Sequence, residues 1–198
     1  LLPCSILHSQ SWLEWDGVVG MELTDALFDL CKADKRPIIA IDGPAGAGKT
    51  TLAEHLSAAL SLKYKVQVIH MDDLYNGWTN AFDFHLTDSL LALVDAHRSM
   101  KQISLSRFDW HNFEYLAAEP FPIAELLILE GVGSSQSAIR EHLSASIWIE
   151  INRTLGVERV LARDGDAISQ QMKMWLELQE QHFLREDSEN AADFVLTN

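Results

Sequence analysis

Short apolar runs alternate with amphipathic stretches along most of this chain. The run at 37–42 (PIIAID) is typical of a buried strand, whereas residues 49–62 place leucine and alanine at helical spacing. The predicted strands are 37–42, 65–71, 103–108, 125–131, 146–151 and 192–198, and the predicted helices are 21–33, 49–62, 86–99, 154–163 and 168–185. Strands that alternate with helices predict an α/β fold with a three-layer, doubly wound parallel sheet.

The chain length and composition predict one domain. A chain of 198 residues with 47% hydrophobic residues can bury one core. We therefore assign residues 1–198 to a single domain, with 1–20 as an N-terminal arm and 164–185 as a lid or late helix. The six tryptophans and the long N-terminal arm could support a dimer, so monomer and homodimer both remain open.

Polar residues follow the predicted strands at the ends where parallel sheets bind ligands. They are Asp42, Asp72, Asp109 and Glu130. Because the carboxyl ends of parallel strands meet at one edge of the sheet, these side chains are expected to lie around one site.

Residues 43–50 (GPAGAGKT) match the phosphate-loop pattern G-x-x-x-x-G-K-[ST], and a predicted strand and helix flank them. The glycines let backbone N–H groups point at phosphate oxygens, and the helix that follows adds its N-terminal amides. Lys49 would reach the β- and γ-phosphates, and the Thr50 hydroxyl would bind Mg²⁺. The alternative is a glycine-rich turn that caps a structural helix. The predicted ATP-binding residues are Gly43, Ala45, Gly46, Ala47, Gly48, Lys49, Thr50 and Thr51.

Asp72 and Glu130 are the candidate acids. A kinase that phosphorylates a hydroxyl needs a carboxylate to orient it and accept its proton, and Asp72 is well placed for this. Glu130 ends an apolar run and precedes Gly131, which indicates an acid that holds Mg²⁺ through water or steers a lid. The alternatives are a solvated turn for Asp72 and an acid that merely leaves a strand for Glu130.

Arg159 and Arg163 lie four residues apart and so share one helix face. Such a face could stabilise the charge of a phosphoryl group in transfer, although the arginines could instead pair with Glu158 or Asp164. Aromatic residues beyond the strand ends, including Trp110, could stack on a flat acceptor or belong to the core.

The bulk composition excludes several classes of protein. A net charge of -14, with 15 scattered Lys and Arg, argues against nucleic-acid binding. The sequence contains no run of 18 apolar residues that would predict a membrane span, and no signal peptide is recognisable. A cytoplasmic location is therefore expected. Cys4 and Cys31 lack the spacing of a metal site or disulfide framework, and His70 shows no metal-ligand spacing.

Over residues 36–165 the chain resembles the uridine kinase branch of the P-loop kinases, which includes pantothenate kinase and phosphoribulokinase. The matching segments are Asp72-Asp73-Leu74-Tyr75, Phe108-Asp109-Trp110, Glu130-Gly131 and the helix that ends in Arg163-Asp164. The longer segments 72–78, 108–110 and 130–133 look like those of an actinobacterial-type subgroup. The resemblance implies ATP and Mg²⁺ as cofactors and a small-molecule acceptor. It also implies Asp72 as catalytic base and Tyr75, Asp109, Trp110 and Arg159 as acceptor-site residues.

The expected function is transfer of the γ-phosphoryl group of ATP to a hydroxyl of a small metabolite, with a nucleoside as the family's default acceptor. Lys49, Asp72 and Arg163 are the expected catalytic residues, and Thr50 and Glu130 the expected metal ligands. Three alternatives share the phosphate loop. They are a sibling kinase for pantothenate, a sugar or another alcohol, a non-kinase ATP-binding switch module, and a nucleotide-binding protein that has lost catalysis.

Overall fold

The computed structural model describes the strand Trp12–Glu14 and residues 21–198. The rest of the predicted arm, with Cys4 and Trp15, lies outside the described residues. The strands are β1 (Trp12–Glu14), β2 (Ile38–Asp42), β3 (Val66–His70), β4 (Ile103–Leu105), β5 (Phe108–Asp109), β6 (Glu114–Tyr115), β7 (Glu119–Phe121), β8 (Leu126–Glu130), β9 (Ala145–Glu150) and β10 (Phe194–Thr197). The helices are α1 (Met21–Ala33), α2 (Lys49–Leu60), α3 (Phe84–Arg98), α4 (Ser137–Arg140), α5 (Arg153–Asp164) and α6 (Ser169–Glu186).

The main sheet has the strand order β1-β10-β9-β2-β8-β3, and every neighbouring pair in it is parallel. The central strands β2 and β8 are buried along their whole length, as their apolar sequences predict. The strands that follow β2 in the chain lie on both sides of it, with β8 and β3 on one side and β9 and β10 on the other. Such a switch point opens a crevice at the carboxyl ends of the strands.

Helices cover both faces of this sheet, which gives the three layers that the sequence predicted. One core joins α1 and α2 to the sheet, through side chains such as Leu27 and Leu56. The other joins α3 and α6 to the opposite face, through Leu90 and Trp175. The α/β fold class is therefore confirmed.

The strand predicted at 103–108 does not form as one element. Residues Ile103–Leu105 pair with Glu119–Phe121, whereas Phe108–Asp109 pair with Glu114–Tyr115. Both pairs are antiparallel and lie outside the main sheet. The sequence pattern merged two short strands into one, because apolar alternation carries no information about which strand each of them pairs with.

Among the helices that the structure describes, none is both long and apolar enough to cross a membrane.

His97, at the end of α3, predicts a pH dependence of stability. Burial, with the charge of Arg36 beside it, lowers the pKa of His97 from 6.5 to about 4. A histidine whose pKa is lower in the folded state stabilises the fold fully above pH 6.5, and this contribution is lost as the pH falls toward 4. We expect about 2 kcal/mol of unfolding free energy to depend on this group. Urea unfolding at pH 7 and pH 4.5 should show a smaller decrease for His97→Gln than for the wild type, and equal decreases would contradict the assignment.

Candidate active site

A cleft of about 730 Å³ opens at the carboxyl ends of β2, β3 and β8. Most of the predicted site residues line it, although they come from segments far apart in the sequence. Those that line the cleft are Ala45, Gly46, Gly48, Lys49, Thr50, Thr51, Asp72, Tyr75, Trp110, Glu130, Arg159 and Arg163. Gly43, Ala47 and Asp109 do not line it.

The phosphate loop leaves β2 and ends at Gly48, whose left-handed backbone (φ 92°) precedes the first residue of α2. The Lys49 ammonium group donates to the carbonyl oxygens of Gly43 and Pro44, at 2.8 Å each, and so lies along the loop. Burial lowers the pKa of Lys49, while the nearby carboxylates of Glu130 and Asp42 act in the opposite direction. The loop thus presents a cation next to its backbone amides, as the motif predicts.

Asp42 fixes the base of the phosphate loop. Its buried carboxylate accepts hydrogen bonds from the backbone N–H groups of Gly43, Gly133 and Ser135 and from the Ser135 hydroxyl. The sequence placed Asp42 at a strand end with the other polar residues. In the structure it joins the phosphate loop to the loop after β8 and does not face the cleft.

Two glycines bring the phosphate loop into backbone contact with α5. A Cβ atom on Gly46, which has φ +79°, would lie 2.2 Å from the carbonyl oxygen of Gly156. A Cβ on Gly156 would lie 2.6 Å from the carbonyl oxygen of Ala45. Because real Cβ atoms never approach backbone this closely, neither position accepts a side chain without displacing one of the two elements.

Glu130 connects the phosphate loop to β3. One of its carboxylate oxygens accepts from the Thr50 hydroxyl at 3.2 Å, and the other lies 2.7 Å from Nδ1 of His70. The hydrogen bond to Glu130 raises the pKa of His70. Sequence reasoning missed this contact of His70, although His70 and Glu130 end adjacent strands and are direct register partners.

Asp72 lies in the 3₁₀ turn Met71–Asp73 and faces into the cleft. The Asp72 side chain is accessible from the cleft, but the surrounding cleft walls shield it from bulk water. This desolvation, with the Glu130 carboxylate nearby, raises the pKa of Asp72, while Lys49 and Arg163 act to lower it. A carboxylate with a raised pKa beside cationic groups is chemically able to accept a proton.

The two arginines of α5 also reach the cleft. Arg159 donates to the carbonyl oxygen of Gly46 at 3.5 Å and to the Asn198 side chain at 3.2 Å. Arg163 forms a two-bond ion pair with Asp164, at 2.7 Å for each bond, and is exposed. The two alternatives for Arg163 are therefore both realised, because it pairs with Asp164 and also lines the cleft.

Aromatic side chains form one wall of the cleft, here called the aromatic wall. Trp78 and Trp110 pack edge to face, with ring centroids 5.1 Å apart, and the Trp110 indole N–H donates to the backbone oxygen of Asp72. Tyr75 presents its buried ring, while its hydroxyl donates to the carbonyl oxygen of Val132 at 2.7 Å. Phe113 completes this wall.

The structure does not bring Asp109 into the cleft. Its carboxylate accepts from the backbone N–H groups of His111 and Asn112 and from the Asn112 side chain. These bonds lower its pKa and hold the turn between β5 and β6. A role for Asp109 in contacting an acceptor therefore stays a prediction that the turn geometry does not favour.

Helix α6, which overlaps the predicted lid, supplies residues that sequence reasoning assigned first to the core. Met172 and Trp175 are buried and line the cleft at the same time, and Gln171 lines it beside them. Their helical spacing was visible in the sequence, but the face they share borders both the core and the cleft. Movement of 164–185 as a lid stays a prediction.

No group of three or more His, Cys, Asp and Glu side chains that could hold a metal ion occurs among the residues that the structure describes. The oxygen pair of Thr50 and Glu130, 3.2 Å apart, is instead the kind of incomplete donor set that a metal bound to phosphate oxygens would complete.

No protein-family profile matches this chain. The structure superposes on a possible uridine kinase from Bacillus stearothermophilus with a TM-score of 0.61 at 21% identity, covering 89% of this chain and 100% of that one. It also superposes on a protein from Silicibacter sp. TM1040, provisionally assigned as a fructose transport system kinase, with a TM-score of 0.62 at 19% identity, covering 89% and 99%. The fold is therefore that of the P-loop kinases, and the fold that the resemblance implied is confirmed.

Curated sequences match only in part. A bifunctional pantoate ligase/cytidylate kinase from Thermosynechococcus vestitus is 42% identical over 65 residues, which is 32% of this chain and 12% of that protein. The disease resistance protein RML1B from Arabidopsis thaliana is 34% identical over 90 residues, 41% of this chain and 9% of that protein. The chain thus matches about a tenth of the length of these relatives.

Proposed function

We propose that this protein is an ATP-dependent phosphotransferase that moves the γ-phosphoryl group of ATP to a hydroxyl of a small, uncharged metabolite. The observation that carries the proposal is the meeting of Lys49, Asp72 and Arg163 in one cleft. A phosphate loop alone would serve any nucleotide-binding protein, including a switch. A desolvated carboxylate that faces the same cleft supplies what a hydroxyl acceptor needs and a switch does not use.

In this reaction the acceptor oxygen attacks the γ-phosphorus, the bond from that phosphorus to the bridging oxygen of ADP breaks, and the hydroxyl proton passes to Asp72. Lys49 and the loop amides stabilise the phosphate charge, and Arg163 adds a second cation from α5. Arg163 can exchange its exposed pair with Asp164 for phosphate oxygens, since an exposed ion pair contributes little stability. Most of the rate then comes from positioning and electrostatics.

The residues present also fit a magnesium ion that accompanies ATP. Mg²⁺ prefers oxygen ligands and usually binds through one or two protein groups together with substrate phosphates. Thr50 would hold it directly, and Glu130, which accepts from the Thr50 hydroxyl, would hold it directly or through water. When bound, the ion would neutralise charge on the phosphate oxygens. His70 would keep the Glu130 carboxylate aimed at Thr50.

The chemistry of the cleft wall supports a nucleoside as the acceptor. Trp78, Trp110 and Phe113 offer flat apolar faces on which a base can stack. In the described part of the chain, the cations that line the cleft are Lys49, Arg159 and Arg163, and these belong to the phosphate loop and α5. Among the described residues, the aromatic wall therefore has no cationic partner for a carboxylate, which disfavours pantothenate. A sugar could still stack there and is the second candidate that this wall allows.

The test is a measurement of ADP release from Mg·ATP in the presence of a panel of nucleosides, pantothenate, fructose and small alcohols. We expect release that depends on one nucleoside, with the matching nucleoside monophosphate as product. Dependence on fructose would keep the kinase and replace the acceptor. Slow release that no acceptor increases would overturn the proposal in favour of an ATP-binding switch.

A further inference from the structure

Helix α6 contacts the phosphate loop through one buried side chain. The amide oxygen of Gln179, a residue 6% exposed, accepts a hydrogen bond from the backbone N–H of Ala45 at 3.2 Å. Ala45 lies in the middle of the phosphate loop and also lines the cleft. A side chain 134 residues away thus fixes one amide of a loop that holds phosphates through its amides.

The same amide oxygen also accepts a hydrogen bond from Trp175, which packs on the aromatic wall. Trp175, one helical turn before Gln179, donates its indole N–H to this oxygen at 3.1 Å. Its ring lines the cleft and packs edge to face on Tyr75 and Trp78, with centroids 5.0 and 5.9 Å away. One acceptor atom therefore joins the phosphate loop to the aromatic wall.

We infer that Gln179 is a positioning residue that couples the aromatic wall to the phosphate loop. The Trp175 indole orients the side-chain amide so that its oxygen, and not its NH₂ group, faces the Ala45 N–H. A ligand that shifts the Trp175 ring therefore changes how firmly Ala45 is held. This inference rests on the proposed function, because it assumes that the loop binds a nucleotide and that the aromatic wall binds the acceptor.

The test uses ADP binding, so that it needs no knowledge of the acceptor. Gln179→Met keeps the side-chain volume but removes the acceptor, and Trp175→Phe keeps a ring but removes the indole donor. We expect the dissociation constant of ADP, measured by calorimetry, to rise about tenfold for Gln179→Met and about threefold for Trp175→Phe. The number of ADP molecules bound per chain should stay that of the wild type. If Gln179 were merely structural, the variant would instead lower the folded fraction, and so the number of binding sites, without changing the affinity of the folded protein.

The double variant decides between coupling and independent effects. If Gln179 carries the influence of Trp175 to the loop, Trp175→Phe should have almost no effect on ADP affinity once Gln179 is already Met. We expect a change of less than about twofold in that background, which is within the usual scatter of such measurements. The control is Glu177→Gln, an exposed position on the same helix, which should bind ADP like the wild type.

Two results would overturn the inference: an ADP affinity of Gln179→Met equal to that of the wild type, or a Trp175→Phe effect of the same size in both backgrounds. Failure of the wild type to bind ADP would overturn both this inference and the proposed function. Normal ADP binding without transfer to any acceptor would remove the kinase proposal alone, and the double-variant comparison would still decide the role of Gln179.

Discussion

Replacement of Asp72 by Asn should lower acceptor-dependent ADP release about 1,000-fold, because the variant removes the group that accepts the hydroxyl proton. Asn keeps the shape of the side chain but cannot take up a proton. The surroundings also predict the pH profile of the wild type. Since desolvation raises the pKa of Asp72, the rate should begin to fall at a higher pH than it would for an ordinary aspartate, whose pKa is 3.8. This acidic limb should vanish in the variant.

The matched control for this variant is Asp73→Asn. Asp73 is the next residue in the same 3₁₀ turn but does not line the cleft. We expect its rate to stay within about twofold of the wild type, as for a surface change away from the site. Asp72→Asn should still bind ADP, which calorimetry would verify. Equal rates for Asp72→Asn and the wild type would contradict the assignment of Asp72 as the base.

Replacement of Gly46 by Ala should weaken ADP binding severely. The new Cβ would lie 2.2 Å from the Gly156 carbonyl oxygen, at a backbone φ of +79° that L residues rarely adopt. The three nearest atoms all belong to the Gly156 backbone and not to a flexible side chain. The phosphate loop must therefore move away from α5 and lose the shape in which its amides converge. We expect a loss of affinity of at least about 100-fold, in line with strain and clash costs of several kcal/mol.

Gly77→Ala separates the clash from the backbone strain. Gly77 has a similar φ of +72°, but the nearest atom to its Cβ would be a Phe108 ring carbon at 3.7 Å. This variant should lose about 1 kcal/mol of unfolding free energy and keep its ADP affinity. Urea unfolding and calorimetry on both variants would test this difference. Normal ADP binding by Gly46→Ala would show that the close backbone contact with α5 is not needed for nucleotide binding.

Much of the fold and the phosphate half of the site could be predicted because their signals are local. The strand, loop and helix around Lys49 are contiguous in sequence, and the apolar run before Glu130 shows a buried strand by itself. The end of a parallel strand is also where a functional acid is expected, which pointed to Asp72. These features need no knowledge of which distant segments meet.

The remaining features depend on contacts between distant segments. Gln179 reaches Ala45 across 134 positions, and His70 reaches Glu130 across 60. Asp109 looked like a strand-end acid, yet a two-residue antiparallel strand turns it toward its own loop. Single side-chain pairs of this kind leave no periodicity in the sequence, so pattern reasoning cannot find them.

The hydrogen bonds of Asp42 connect the phosphate loop to the aromatic wall through residues 132–133. Asp42 ties the start of the phosphate loop to Gly133, and the neighbouring Val132 carbonyl holds the Tyr75 hydroxyl. Buried hydrogen bonds therefore join the phosphate loop to the aromatic wall. If the proposed transfer takes place, folding itself sets the distance between the ATP and acceptor positions, and closure over the cleft would serve only to exclude water.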